Sequence, residues 1–267
     1  MARSDFRTPR LYIEDRIKAD AAIALSAAAA NYLRNVLRLK TGDTVLLFNG
    51  RDGEWRAELS SSGKRALTAT AGKQSRPQPA PADLHYLFAP LKHARLDYMV
   101  QKAVELGVSK LQPVLTQHTQ VARVNLERMR ANTIEAAQQC GVLALPEIAK
   151  PGELKPLLGR LGAERLLIFC DEEAEIADPV AALMKARRPP SALVPGGAAP
   201  EAMSVAVLIG PEGGFSQDER EALLKIPNVV RLALGPRVMR ADTAAVAALA
   251  LVQAALGDWG APAGPAA

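Results

Sequence analysis

Two short apolar runs without polar alternation, Val205–Ile209 and, interrupted only by Arg231, Val229–Leu234, each lead directly into a glycine-proline turn. The first turn reads Gly210-Pro211-Glu212-Gly213-Gly214-Phe215, the second Gly235-Pro236-Arg237-Val238-Met239-Arg240. A strand with one solvated face alternates polar and apolar residues, whereas an apolar run suits a strand buried on both faces, as in a parallel sheet. Ligands bind such sheets outside the carboxyl ends of the strands. Glycine there permits positive φ and lets the backbone approach a ligand closely. The two turns therefore read as two walls of one small-molecule pocket.

Neither turn is a phosphate cradle. A P-loop ends in Gly-Lys-Ser/Thr, but Gly213-Gly214-Phe215-Ser216 has no lysine, and G-x-G-x-x-G is absent from both turns. Ser216 followed by Glu219 is a capping-box pattern, so the first turn taken alone also reads as a plain strand-to-helix connection. A second such turn, running through two arginines into an alanine-rich segment, favours the pocket.

The 267 residues, 49% hydrophobic, allow one large domain or two modest ones. Cys140 and Cys170 lie too far apart for a disulfide framework or zinc spacing, and with three histidines no metal site is expected. Residues Met1–Arg7 lack the apolar core of a signal peptide and no stretch reaches membrane-spanning length, which predicts a cytoplasmic location. The net charge of +5 is compatible with a polyanionic partner.

Composition divides the chain. Thr44–Thr70 contains short strands broken at Asn49-Gly50, Asp52-Gly53 and Ser62-Gly63, the pattern of a small β-barrel, preceded by an expected helix over Ala27–Leu39. Lys73–Ala82 is proline-rich and reads as a connection. Residues 1–75 are thus a barrel domain, 76–82 a linker, 83–257 an α/β domain and 258–267 a disordered tail. In the α/β part, strands are expected at Leu84–Ala89, Leu111–Leu115 and Arg165–Cys170. A helical stripe ends at Gly107, a helix capped by Asn125 ends at Gly141, and a last helix spans Thr243–Leu256. Strand-helix alternation implies a mostly parallel sheet with helices on both faces. Lys185–Met203, rich in Pro, Gly and Ala, reads as a poorly ordered loop.

The motifs make the reading specific. Ile209-Gly-Pro-Glu-Gly-Gly-Phe215 and Leu234-Gly-Pro-Arg-Val-Met-Arg-Ala-Asp-Thr-Ala244, with Gln101–Val108, Glu135–Gly141 and Tyr32–Lys40 before Gly42-Asp43, resemble the bacterial 16S ribosomal RNA uridine-N3 methyltransferases. The resemblance runs in order through nearly the whole chain, leaving out Pro189–Met203 and the tail after Gly257. It implies the SPOUT class: a trefoil-knotted sheet binding S-adenosylmethionine without metal, and a PUA-like barrel gripping 16S rRNA, within the small ribosomal subunit. It also implies a homodimer, in keeping with a helix, Ala241–Leu256, apolar over most of its circumference.

By that resemblance the cofactor lies between the loop after Phe169-Cys170, the Ile209–Gly214 turn and the Leu232–Thr243 segment. Its contacts would be Phe169, Ile209, Gly210, Pro211, Gly213, Gly214, Leu232, Leu234, Gly235, Met239, Arg240 and Thr243. Methylating uracil N3 puts negative charge on O2 and O4, which Arg240 is expected to stabilise. Asp242 reads either as proton acceptor or as cap of the last helix, and Glu212 as a second candidate base or a turn carboxylate. Arg10, Arg34, Arg38, Lys40, Lys102 and Arg123 are the expected RNA contacts. Family arginines are replaced here by His118 and Val142, and paired histidines by Asn31-Tyr32. Two other classes compete: a non-catalytic RNA-binding protein, and a related knotted enzyme methylating transfer RNA ribose.

Overall fold

The computed structural model describes residues 5–61, 66–121, 123–175, 178–187 and 203–259. These form two compact units, one of residues up to Ala80 with Ile134–Leu145, the other of Pro81–Thr133 and Pro146 onward. The expected turn at Ser62-Gly63, the middle of the expected 185–203 loop and the tail from 260 lie outside the described residues.

In the first unit β1 (Arg10–Tyr12), β2 (Ala22–Ala24), β3 (Thr44–Phe48), β4 (Glu54–Ser61) and β5 (Leu67–Arg76) form a sheet in the order β1-β3-β4-β5-β2. β3 and β4 pair antiparallel across a turn in which the Asn49 side-chain oxygen accepts the N–H groups of Arg51 and Asp52. Val45, Leu47, Ala57, Leu59, Ala69 and Ala71 fill the core. Helix α1 (Ala27–Asn31) starts at Ser26, whose hydroxyl accepts the Ala29 N–H. It then widens into one π-helical turn, Tyr32–Val36, in which the Leu37 N–H donates to the Tyr32 carbonyl. The expected α-helix to Leu39 is therefore cut short, and Arg38 lies beyond it in the left-handed region with φ 57°. The wide turn seats Leu33 and Leu37 on the same core as Ala30.

Arg10 corrects the sequence reading. Its side chain is 2% exposed and its Nε donates to Glu54 Oε2 at 2.8 Å, where Arg76 also pairs at 2.6 Å. It is a buried structural cation, withdrawn from RNA. Burial alone would raise the Glu54 carboxyl, but hydrogen bonds from Arg76, Ser75 and Arg10 hold it below its ordinary value. Glu54→Ala strands a buried guanidinium and is expected to cost about 3–5 kcal/mol in urea unfolding.

The second unit is a parallel sheet in the order β12-β10-β11-β6-β7-β8. Its strands are β6 (Leu84–Phe88), β7 (Lys110–Leu115), β8 (Glu147–Ile148), β10 (Leu166–Cys170), β11 (Val205–Ile209) and β12 (Val229–Leu232), and β9 (Gly152–Glu153) adds to β7. The helices are α2 (His93–Glu105), α3 (Leu126–Cys140, of which the residues from Ile134 belong to the first unit), α4 (Leu154–Leu158), α5 (Pro179–Ala186), α6 (Gln217–Leu224) and α7 (Ala241–Ala255). Successive strand residues point to opposite faces. Tyr86, Phe88, Ile168, Val207 and Ile209 pack with α2, α5 and α7, while Leu87, Leu167, Phe169, Ala206 and Leu208 pack with α4 and α6. Burial on both faces is why these strands are apolar without alternation.

The amino ends of the strands carry a polar cluster. Arg165 donates to both oxygens of Asp83, Ser204 donates to one of them, and His85 Nε2 lies 3.2 Å from the other. Burial, reinforced by the Arg165 charge, pushes His85 from 6.5 down to about 4. Below pH 6.5 the unfolded chain takes up a proton that the folded chain refuses until about pH 4. Stability therefore falls as pH drops through that window. His85→Gln is expected to flatten this fall, as read from urea midpoints at a series of pH values.

Candidate active site

β10, β11 and β12 end side by side, and the chain leaving them encloses a cavity of about 450 Å³. Its walls are Cys170–Glu172, the Ile209–Glu212 turn with Gly214 and Phe215, and the continuous segment Leu232–Ala241. β12 is shorter than the apolar run predicts, because its partner β10 ends at Cys170, opposite Leu232. From Ala233 onward the backbone has no ladder to join and lines the cavity instead.

Glycine is required in the first turn. A Cβ on Gly210 would lie 2.5 Å from the Phe215 ring, and Gly214 has φ +68° with the Glu172 carboxylate against its open side. Phe215 meets Phe169 edge to face, with ring centroids 5.2 Å apart. Phe169 itself is fully buried and supports the wall from behind. Ser216 and Glu219 form the capping box of α6, and the second Glu219 oxygen accepts the Gln117 N–H. The turn is thus both a helix start and a cavity wall.

A buried carboxylate, invisible to the sequence reading, ties the walls together. Asp171 pairs with Arg220 of α6 through one oxygen and with Arg231 of β12 through the other, at 2.7 Å. Arg220 also reaches Glu173 at 3.2 Å, and both Asp171 and Arg220 border the cavity. Arg231, the single polar residue in the β12 run, was the available sequence signal. Next to Asp171, burial first and that carboxylate second push the Cys170 thiol up to about 12. It remains a protonated, unreactive wall residue at neutral pH.

Arg240 is two-thirds exposed, lines the cavity and occupies the N-cap position of α7. α7 starts at Ala241, two residues before the expected Thr243, so Asp242 is a first-turn residue and not the cap. The Asp242 carboxylate is 10% exposed, accepts the Thr243 N–H at 3.0 Å and lies 3.7 Å from Arg240 Nε. A carboxylate there also complements the positive end of the helix dipole. Glu212 lines the cavity, is 45% exposed and faces Arg95 at 3.4 Å. Of the expected cofactor contacts, Ile209, Gly210, Pro211, Gly214, Leu232, Leu234, Gly235, Met239 and Arg240 line the cavity. Phe169, Gly213 and Thr243 are not part of its lining, whereas Phe215 and Ala244, which were not expected, are.

Among the expected RNA contacts, Arg38, Lys40 and Arg123 are exposed. Arg34 donates to the Ala66 carbonyl at 3.0 Å, and Lys102 pairs with Glu105 at 2.7 Å beneath the Tyr98 ring. Among the described residues no group of His, Cys, Asp or Glu is arranged to hold a metal ion, and no helix is long and apolar enough to cross a membrane.

Residues 78–253 match the RNA methyltransferase domain, and residues 25–71 the RNA methyltransferase PUA domain. The chain belongs to the RNA methyltransferase family. It is 29% identical to ribosomal RNA small subunit methyltransferase E of Rickettsia conorii, over 91% of this chain and 94% of that protein. The same-named protein of Synechocystis is also 29% identical, over 92% of this chain and 78% of that protein. A Legionella pneumophila methyltransferase structure with bound cofactor SAM superposes with a TM-score of 0.77 at 28% identity, covering 93% of this chain and 98% of that one. In this RNA methyltransferase, Asp171→Ala leaves Arg220 buried beside the cavity and is expected to cost about 3–5 kcal/mol. Glu173→Ala, on the exposed arm of the same cluster, is expected to cost at most about 1 kcal/mol. Denaturant midpoints of the two variants check the contrast.

Proposed function

We propose that the protein transfers a methyl group from S-adenosylmethionine to N3 of one uridine in 16S rRNA of the small ribosomal subunit. The observation that carries this reading is a cavity walled by the two glycine-proline turns, with Arg240 on its lining, in a chain of the RNA methyltransferase family. Relatives matching nearly its whole length are named for the small-subunit ribosomal RNA.

The residues present fit the cofactor. Ile209, Leu234 and Met239 offer apolar contact, while the backbone of Gly210 and Gly235 is open to edge hydrogen bonds with a purine. A Cβ on Gly235 would meet nothing within 4 Å, so that glycine leaves room rather than filling it. Gly214, Leu232 and Pro211 complete the hold in this reading. S-adenosylmethionine supplies, when bound, an electrophilic methyl group on a sulfonium.

The protein's own part is proton removal and charge stabilisation. In this reading Glu212, on the cavity lining and half exposed, takes the N3 proton on a carboxylate oxygen, with Glu172 the other exposed carboxylate of the lining. The charge left on N3, O2 and O4 meets the Arg240 guanidinium. Asp242, almost fully buried, holds Arg240 in place rather than touching uracil. The exposed Arg38, Lys40 and Arg123 supply phosphate contacts, which position RNA without reading its sequence.

The finer architecture follows the same reading. Residues 1–75 form the PUA-like domain and 83–257 a SPOUT domain, in which the chain around β12 and the cavity segment makes a trefoil knot. β10 lying between β11 and β12, both later in the chain, supports this. Val246, Ala250 and Leu251 on the partly exposed side of α7, with the exposed Val238, support a homodimer. The enzyme would act in the cytoplasm, where its substrate is assembled.

Arg240→Ala is expected to slow single-turnover methylation of small ribosomal subunits by about a hundredfold or more. Its affinity for S-adenosylmethionine should change by less than about threefold, the mark of a group acting on the transition state. Equal losses in rate and affinity would reduce Arg240 to a shaping residue. A nucleoside digest carrying the methyl group on ribose, or no methyl at all, would overturn the reading.

A further inference from the structure

The helical segment Ala27–Val36 turns one face into the barrel and leaves the other uncovered. Ala30, Leu33 and Leu37 face the core, with Leu33 completely buried. Asn31, Tyr32, Asn35 and Val36 are exposed, Tyr32 to 40% and Val36 to 62%. Because its inner face is packed, this outer face is a fixed surface. It is displayed on the π-helical turn, a local departure from α geometry that recurs at functional sites.

The chemistry around the Tyr32 ring is selective. From Ser26 to Gly42 there is no carboxylate, while Arg34, Arg38 and Lys40 are cations, and the next residue, Asp43, turns its carboxylate to the Lys40 N–H. Arg34 is engaged with Ser61 and the Ala66 carbonyl, so exposed Arg38 and Lys40 carry the positive flank. The Asn35 amide nitrogen donates to the Asn31 amide oxygen. That bond leaves the Asn31 NH₂ and the Asn35 carbonyl oxygen as a neighbouring donor and acceptor.

We propose that Tyr32, with Asn31 and Asn35, is a platform for one unpaired RNA base, stacked on the ring and hydrogen-bonded at its edge by the two amides, while Arg38 and Lys40 hold the adjoining phosphates. The proposal rests on the RNA substrate of the preceding section and adds a contact site carried by the first unit. A single ring and one valine make too small an apolar area for a partner helix. An aromatic face stacks any base, paired amide groups match the donor-acceptor edges of bases, and exposed cations suit phosphate.

The test is filter binding of full-length protein to a 16S rRNA transcript at several salt concentrations. Tyr32→Ala is expected to weaken binding about tenfold. Its salt dependence should be unchanged, because no phosphate contact is lost. Tyr32→Phe should restore the affinity, and Tyr32→Leu, which keeps apolar bulk but no ring face, should remain weak. Arg38→Ala should reduce the salt slope by about one instead. Thermal midpoints equal to that of the parent protein establish that each variant is folded. Parent-like affinity in Tyr32→Ala, a weak Tyr32→Phe, or a change in oligomeric mass in place of RNA affinity overturns the platform. If the platform fails while the unaltered protein still methylates the small subunit, the proposed activity stands. If the unaltered protein neither binds nor methylates the RNA, both fall.

Discussion

The cavity exists because three parallel strands end at one level and the chain leaving them is held there by the buried carboxylate of Asp171. Parallel strands give no hairpin turn to fix the loops at their ends. Something else must join the exit of β10 to the start of α6 and to β12, and one anion between two guanidinium groups does so. The arrangement is costly to half-dismantle, since either arginine alone would be left a poorly compensated charge. The glycine turn at the end of β11 is fixed separately, by the Phe215–Phe169 ring contact and by Glu219, which serves the α6 cap and the Gln117 N–H together. The floor and walls of the site thus have independent anchors.

Both ends of this sheet carry ionic clusters, but accessible charged groups gather at one of them. At the amino ends, Asp83, Arg165, Ser204 and His85 satisfy one another. At the carboxyl ends, Glu212 and Arg240 are left substantially exposed beside an apolar pocket. The carboxyl ends also hold the buried Asp171–Arg220–Arg231 cluster, so there the structural ion pairs sit behind groups that stay accessible. In the first unit the same division separates Arg10, locked against Glu54, from Arg38 and Lys40, which remain in solvent.

What could be read in the sequence was what local pattern encodes. Strands buried on both faces lack alternation, so Val205–Ile209 was legible and Arg165–Cys170 began one residue early, and Ser216 with Glu219 announced the start of α6. Helix ends marked by Gly107 and Gly141 followed from their positive φ. Long-range pairing was not legible. Arg10 meets Glu54 forty-four positions away, and an arginine in a basic segment looks the same whether it faces solvent or a buried acid. Asp171 meets Arg220 and Arg231 across an even longer loop of chain. The shift from α to π geometry at Tyr32 also escaped, because it is set by how Leu33 and Leu37 seat on the barrel and not by the residues of the turn. For the candidate site, the turns were visible in the sequence and the clamp behind them was not.

Cys170 shows how burial governs which groups on a cavity wall stay inert. A thiolate is among the strongest nucleophiles a protein contains, and the methyl donor proposed for this cavity is an electrophile. With its thiol pushed up to about 12, Cys170 has almost no thiolate at neutral pH. Asp171 beside it, needed to hold the loops, also disfavours the negative sulfur. Burial first, and the carboxylate that braces the pocket second, therefore keep this wall thiol in its unreactive form.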